Sequence, residues 1–281
     1  MNRFVAQRIG IGVLVLTTLV VVVPILIIVG VICVEGAGAI SWDFLTAMPS
    51  DGMKKGGIFP AIFGTLVLTL ATALAAIPVG VGSAIYLAEY ARDTWLTRAI
   101  RLAIVNLAGI PSVVYGLFGL GLFVLFLQFG TSIVAGSLTL AIMTLPIIIS
   151  TAEEALRAVP MEFRTIIASL GGTRWQGIRR VVLPQALPGI MTGVILGLLR
   201  AAGETAPILF TVAAFYLPRL PQSPFDQTMA LPYHLYVIST QVPGMPLQIQ
   251  YGTALVLLVL VLSMNAAATI IRSYFRRRRQ W

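Results

Sequence analysis

Charged residues, cysteine and histidine are scarce in this chain. Asp, Glu, Lys and Arg together make up 10% of its 281 residues, whereas hydrophobic residues make up 58%. Soluble domains carry charge at about a quarter of their positions, so this composition excludes an ordinary soluble domain. The one cysteine, Cys33, excludes an internal disulfide and a cysteine metal site on count alone. The one histidine, His234, has no second histidine near it, which argues against a metal role.

Sequence motifs for catalysis are also absent. No G-x-x-x-x-G-K-[ST] phosphate loop occurs, so the chain cannot itself bind ATP in the P-loop manner. Neither H-E-x-x-H nor G-x-S-x-G occurs. We therefore predict that the chain is not an enzyme and carries no cofactor or metal of its own. Any energy that it uses comes from an ion gradient or from a separate ATPase.

Long, continuous apolar runs dominate what is present. A hydrocarbon core about 30 Å thick requires about 20 apolar residues per helix, and the runs lack the alternation of a β-barrel. We predict an all-α integral membrane protein. The first run exceeds the length of a signal peptide's apolar region, so we interpret it as a retained helix. The six predicted transmembrane helices cover about 10–34, 60–91, 100–128, 133–152, 188–216 and 251–271.

The net charge of +9 follows the predicted topology. With the N-terminus inside, 15 basic residues fall in cytoplasmic segments, and the outside loops carry only Lys54, Lys55 and Arg219. This asymmetry is the positive-inside rule, and it places both termini in the cytoplasm without requiring nucleic acid as a partner. The terminal arginines Arg276 to Arg279 offer a contact for anionic membrane lipid, although a topology anchor explains them as well.

Three further segments have their own predictions. The end of helix two, Ile85–Tyr90, combines aromatics with a carboxylate, which is typical of a membrane interface. Small residues spaced along Gly109–Gly119 indicate either close helix packing or a lining for a transport path. The segment from Leu217 to Gln250 contains six prolines, so we predict a long outside loop; such loops are usually functional or flexible.

The predicted fifth helix carries the main candidate for chemistry. Arg200 and Glu204 are four residues apart and therefore share one flank of a helix. Arg200 lies roughly 18 Å along the axis from Pro188, and a charge at the membrane centre costs about 2.5–3.5 kcal/mol. We interpret the pair as a substrate-path site, because the guanidinium fork matches phosphate or carboxylate oxygens. A structural pair that neutralises itself is the alternative, and Glu204 would either orient Arg200 or accept a proton.

The same helix has one face of small residues at four-residue spacing, which predicts close helix packing. Its members are Gly189, Gly193, Gly197, Ala201 and Thr205.

A polar, basic loop from Glu153 to Pro184 separates two apolar segments. Within it, Trp175 is surrounded by Arg174, Arg179 and Arg180, a combination of aromatic anchor and positive charge that favours docking of a soluble partner. Topology control alone would explain the side on which these arginines lie but not their grouping around an aromatic residue.

At these residues the chain resembles a known family. Gly171, followed by nine residues and then Val181-x-Leu183-Pro184, resembles the cytoplasmic loop of ABC-importer permeases. The segment R-A-A-G-E-T-A-P is similar to the PstA-type permease of bacterial phosphate importers. The Glu-Ala-Ala that the family has six residues before the loop glycine is Thr165-Ile166-Ile167 here, and Glu162 is a candidate replacement for the acidic contact. The matching segments are Ile85–Tyr90, Gly109–Gly119, Glu154–Pro160, Gly171–Pro184 and Arg200–Pro207.

The resemblance implies a type I ABC importer permease fold and a division of the chain into parts. Residues 1–59 would hold the first helix and an outside loop, residues 60–272 the transmembrane domain with a coupling loop at 153–187, and residues 273–281 a basic tail. The implied function is import of inorganic phosphate across the bacterial cytoplasmic membrane by alternating access. The ATPase-docking residues would be Ala168, Gly171, Arg174, Trp175, Val181, Leu183 and Pro184.

The resemblance also implies partners. These are a second homologous permease, two cytoplasmic ATPase subunits that bind ATP and Mg²⁺, and an extracytoplasmic phosphate-binding protein. Three alternatives stay open at this point: a permease for another oxyanion such as sulfate, molybdate or phosphonate; a gradient-driven transporter or channel, which usually shows inverted repeats; and a membrane scaffold without transport.

Overall fold

The computed structural model describes residues 3–169 and 171–277. In these ranges the chain forms twelve α-helices and one short β-hairpin. The helices are α1 (Arg3–Ala37), α2 (Trp42–Thr46), α3 (Phe59–Ile85), α4 (Trp95–Ala108), α5 (Ser112–Gly119), α6 (Ile133–Arg157), α7 (Met161–Ser169), α8 (Arg174–Gly177), α9 (Leu183–Gly203), α10 (Ala206–Thr211), α11 (Leu231–Thr240) and α12 (Leu247–Arg277). Wider π-type turns extend α3, α5 and α8 through Tyr86–Tyr90, Leu120–Phe126 and Ile178–Val182.

The all-α membrane fold predicted from composition is confirmed. Within the described ranges, five stretches are long and apolar enough to cross a membrane, and a sixth arises if the bent pair α4–α5 counts as one span. Helix α6 is the central helix, since 67% of its most apolar window is buried. Helix α1 is the opposite case: residues 10–28 are exposed all round, so this apolar surface is left to lipid or to another subunit.

The predicted third helix is in fact two helices. Helices α4 and α5 meet at an angle of 104° at residues 109–111. The break has a local cause: Pro111 lacks an N–H group and disfavours helical geometry at Ile110. The phenol of Tyr115 donates a hydrogen bond to the Leu107 carbonyl across the break, at 2.8 Å, and so ties the two arms together.

The predicted fifth helix was wrong at both ends. Helix α9 begins at Leu183 and stops at Gly203, after which Glu204 has extended backbone geometry. The predicted close packing of the small residues is found within α9. Gly193 lies so close to Thr151 of α6 that an added Cβ would be 2.7 Å from the threonine Cβ. Gly189 and Gly197 meet Ala155 and Ile148 of α6 in the same way. Thr205 falls outside the helix.

The proline-rich stretch predicted as a loop contains structure. Helix α11 starts with Pro232 in its first turn, where a missing N–H costs nothing. Leu231, Val237 and Ile238 are buried to 1% exposure or less. The Leu231 N–H donates to the hydroxyl of Thr65 in α3 at 2.8 Å, and Gly64 packs against the Met229 carbonyl. The prediction missed this helix because its prolines masked a buried apolar face.

The segment between α1 and α3 is also partly ordered. The hairpin pairs β1 (Pro49–Ser50) with β2 (Lys55–Gly56) in antiparallel register, and Ser41 caps α2 by accepting a hydrogen bond from the Phe44 N–H. The hydroxyl of Tyr216 donates to the Pro49 carbonyl at 3.1 Å. The hairpin is therefore joined to the segment that follows α10.

Candidate functional site

Arg200 and Glu204 form an ion pair at the end of α9. The Arg200 Nε atom lies 3.3 Å from Glu204 Oε1. The self-neutralising contact that the sequence left as an alternative is thus present, but Glu204 approaches from just beyond the helix end. The Arg200 side chain is 37% exposed and the Glu204 side chain 16%. More than a third of the guanidinium side chain is therefore open to another group.

Arg200 lies further from the start of its helix than the sequence predicted. Because α9 begins at Leu183, Arg200 is roughly 26 Å from the start of the helix at 1.5 Å per residue. Glu204 lines a narrow cleft with Thr65, Thr69 and Leu140 from α3 and α6. The pair thus lies beside the packed core of the bundle, towards the end opposite α7 and α8.

The polar loop that was predicted as a docking surface is largely helical. Glu153 and Arg157 belong to the last turn of α6, and α7 and α8 follow. We call Met161–Val182 the α7–α8 segment. Gly171 sits between the two helices with φ of +74°, a left-handed geometry that glycine adopts without strain. Thr173 then starts α8 with a capping box, in which its hydroxyl and the Gln176 side chain bond each other's backbone N–H groups.

The predicted docking residues are not equally available on this segment. Trp175 is 51% exposed, and Arg179 and Arg180 are exposed as well. Val181, Leu183 and Pro184 are half-buried at the junction with α9. The side chains from Thr165 to Ala168 lie outside the described part of the chain, so the role of Ala168 stays a prediction.

Arg174 makes contacts that the sequence did not indicate. Its guanidinium donates a hydrogen bond to the Glu89 carbonyl and lies over the Tyr90 ring, 5.1 Å from the ring centre. A cation over an aromatic face at this distance is attracted by the ring. Arg174 therefore holds α8 to the end of α3, while its side chain stays exposed and its docking role stays a prediction.

Glu89, in the segment predicted to mark a membrane interface, is buried in an ion pair that the sequence did not indicate. It is only 6% exposed, and Arg164 of α7 donates to its carboxylate, with Nη2 2.9 Å from Oε1. The same guanidinium donates to the carbonyls of Leu156 and Val159 at the end of α6. One arginine thus joins α3, α6 and α7.

A second buried carboxylate lies at the same end of the bundle. Glu153 is 8% exposed and accepts hydrogen bonds from Arg101 at 2.8 Å and from Arg157 at 3.0 Å. Arg101 also donates to the Leu87 carbonyl, at 2.9 Å. The sequence signal for both clusters was an excess of arginine beside two carboxylates within or next to apolar segments, and topology control concealed it.

Comparison with known proteins places these features in a family. Residues 76–281 match the family described as "Binding-protein-dependent transport system inner membrane component". A probable ABC transporter permease protein YqgI of Bacillus subtilis (strain 168) is 33% identical over 282 residues, which cover 95% of each chain. Phosphate transport system permease protein PstA of Mycobacterium leprae (strain TN) is 35% identical over 92% of this chain and 86% of that protein. PstA 1 of Mycobacterium tuberculosis (strain ATCC 25618 / H37Rv) is 37% identical over 80% and 72%.

Solved structures have the same fold. A bacterial ABC transporter involved in the import of alginate superposes with a TM-score of 0.69 over 99% of this chain and 100% of its own, at 15% identity. The MetNI methionine ABC transporter in an inward-facing conformation gives a TM-score of 0.62 over 76% and 94%, at 17% identity. The fold is therefore that of type I ABC importer permeases, as the sequence resemblance implied. The chain belongs to the family of binding-protein-dependent inner-membrane transport components, and it is an ABC importer permease.

Proposed function

We propose that this permease carries inorganic phosphate into the cell as part of an ATP-driven importer. The observation that carries the proposal is the partly exposed Arg200, held in a membrane-spanning stretch by one carboxylate at 3.3 Å. A guanidinium fork is suited to a tetrahedral oxyanion, because it offers parallel N–H donors and stays charged. The relatives that are named as phosphate permeases support the choice of anion.

The positions of the arginines support one orientation of the helix bundle in the membrane. Arg101, Arg157, Arg164 and Arg174 lie at the end of the bundle where α3 and α6 finish. The positive-inside rule assigns this end to the cytoplasm, together with both termini. The cleft beside Glu204 then lies towards the outer side of the bacterial cytoplasmic membrane.

The α7–α8 segment is the docking site for a cytoplasmic ATPase in this proposal. Trp175 would be the anchor, because it is large and half exposed, and Arg179 and Arg180 supply charge around it. Gly171 provides the turn that presents α8. ATP and Mg²⁺ would be bound by that partner. A second homologous permease and an extracytoplasmic phosphate-binding protein would complete the importer.

Transport would proceed by alternating access. Closure of two ATPase subunits moves the α7–α8 segment and opens the path outward, and the binding protein releases phosphate into it. Arg200 meets the anion, and hydrolysis resets the bundle to the inward-open form. The Glu204 contact competes with phosphate for the guanidinium, and this competition limits the affinity so that the cargo leaves again.

Uptake by the complete importer tests the proposal. The chain, purified with its partner subunits and reconstituted in vesicles, is given labelled phosphate with and without ATP. We expect uptake that requires ATP and persists in excess sulfate and molybdate. Uptake blocked by either competitor would overturn the choice of phosphate, and transport that persists without the ATPase would overturn ATP-driven import.

A further inference from the structure

The end of α3 collects arginines from three other helices. The last turn, Tyr86–Tyr90, leaves carbonyls without partners in the helix, as helix ends do. Arg101 of α4 donates to the Leu87 carbonyl, and Arg174 of α8 donates to the Glu89 carbonyl. Arg164 of α7 binds the Glu89 carboxylate. This end of α3 is therefore a common attachment point.

Both helices of the α7–α8 segment attach to Glu89. Arg164 contacts Glu89 through a carboxylate held nearly out of solvent, while Arg174 contacts the Glu89 backbone and the Tyr90 ring. The Arg164 side chain is 20% exposed and that of Glu89 6%. A paired charge at this burial keeps its partner close, because separating the pair would leave a carboxylate unpaired away from water.

Glu153 provides a natural contrast. It is almost as buried as Glu89 and also binds two arginines, but these lie on α4 and at the end of α6. Among the described ion pairs with buried carboxylates, the one at Glu89 reaches the α7–α8 segment and the pairs at Glu153 do not. The two carboxylates are therefore similarly buried but connect different helices.

Helix α3 continues from this attachment to the cleft beside Glu204. Along its length Gly80 packs against Ile148 of α6, close enough that an added Cβ would be 2.7 Å away. Near its other end Thr65 and Thr69 line the cleft that contains Glu204, and Thr65 accepts the Leu231 N–H of α11. One helix therefore contacts both the α7–α8 segment and the cleft lined by Glu204.

We propose that Glu89 is a positioning residue that couples movement of the α7–α8 segment to α3 and thereby to the cleft beside Glu204. This inference rests on the proposed function, in which an ATPase moves that segment. It assigns the mechanical connection to Glu89, whose carboxylate binds Arg164 and whose carbonyl accepts a hydrogen bond from Arg174. Glu89 neither touches the anion nor contacts ATP.

The test measures phosphate uptake per ATP hydrolysed in the reconstituted importer. Glu89→Gln keeps the size of the side chain but removes the charge that Arg164 binds. We expect ATP hydrolysis to continue and uptake per ATP to fall roughly tenfold. A purely structural role would lower both activities together. Glu89→Asp, which retains the carboxylate, should recover part of the ratio.

Glu153→Gln is the matched control, since it removes a carboxylate of similar burial and arginine pairing. We expect its uptake per ATP to stay within about twofold of wild type. An unchanged ratio in Glu89→Gln, or an equal loss in both variants, would overturn the inference.

If Glu89→Gln fails to assemble, Arg174→Gln tests the second arm of the connection. This side chain is exposed, and its loss should lower the ratio in the same direction by a smaller factor. An Arg174→Gln importer as coupled as wild type would then overturn the inference. A wild-type importer without ATP-dependent phosphate uptake would instead contradict the proposed function.

Discussion

The arginines at the end of the bundle where α3 and α6 finish make different contacts from Arg200, which lies at the far end of α9. Arg101 and Arg164 each bind a buried carboxylate at 2.8–2.9 Å and also donate to backbone carbonyls. Arg200 has one contact in the described part of the chain, at 3.3 Å, and stays more than a third exposed. Arg101 and Arg164 are held by several contacts within the chain, whereas Arg200 keeps most of its donors for a ligand.

The largest effect on phosphate uptake is expected when the N–H donors of Arg200 are removed. Arg200→Ala should lower phosphate uptake roughly 100-fold, because hydrogen bonds from a charged donor contribute about 1.5–3 kcal/mol. Arg200→Lys should fall in between, since it keeps the charge without the planar fork. Uptake is measured on complexes shown to contain all subunits.

Arg98→Ala is the control for Arg200→Ala, since it removes an exposed arginine paired with Asp93. Normal uptake is expected for it. Unimpaired uptake by Arg200→Ala would contradict the proposed contact between Arg200 and the anion. The Arg200–Glu204 pair would then have a structural role alone.

At the end of the bundle that holds Glu89 and Glu153, the first expected loss is in stability. Glu89→Gln and Glu153→Gln should each lower the free energy of unfolding by about 1–3 kcal/mol, because a buried charged hydrogen-bond partner is weakened. Thermal denaturation in detergent would measure both. Similar losses are expected since the two carboxylates are similarly buried, at 6% and 8%. A loss confined to one variant would show that burial alone does not predict their contributions.

A smaller effect is expected at the turn between α7 and α8. An added Cβ at Gly171 would lie in open space, so the size of the side chain is not the constraint. The constraint is the backbone φ of +74°. Gly171→Ala should therefore cost about 1–2 kcal/mol in presenting α8, which would appear as weaker retention of the ATPase subunits during purification. Gly171→Asn should be tolerated better, because asparagine adopts this geometry more readily.

Gly82→Ala serves as the comparison for Gly171→Ala. Gly82 also has open space for a Cβ, but it lies within α3 with ordinary helical geometry. It should retain the ATPase normally. Equal retention by both alanine variants would exclude backbone geometry as the reason for glycine at position 171.

The sequence was informative where one local rule acts alone. Apolar runs predicted the spans, and four-residue spacing predicted that Gly189, Gly193 and Gly197 face a neighbour, which proves to be α6. The sequence was misleading where a structure depends on contacts between residues far apart in the chain. Helix α11 looked like a loop because its buried face is evident only against α3. The ion pair of Glu89 was missed because its partner, Arg164, lies 75 positions later in the chain.

The smallest effect is expected at the exposed pair of Asp93 and Arg98. The hydrogen bonds and positive charge of Arg98 hold the pKa of the Asp93 carboxyl below its ordinary value. A lowered folded-state pKa stabilises the fold above the unfolded-state pKa, and that contribution is lost as the pH falls through the folded-state pKa. Both limits lie in acid, so this contribution is fully present at pH 7. Because exposed pairs contribute little, Asp93→Asn should still leave the melting temperature at pH 7 almost unchanged. A clear drop would mean that arginines at this end of the bundle stabilise the fold even without a buried carboxylate. The contrast with Arg200 would then rest on position alone.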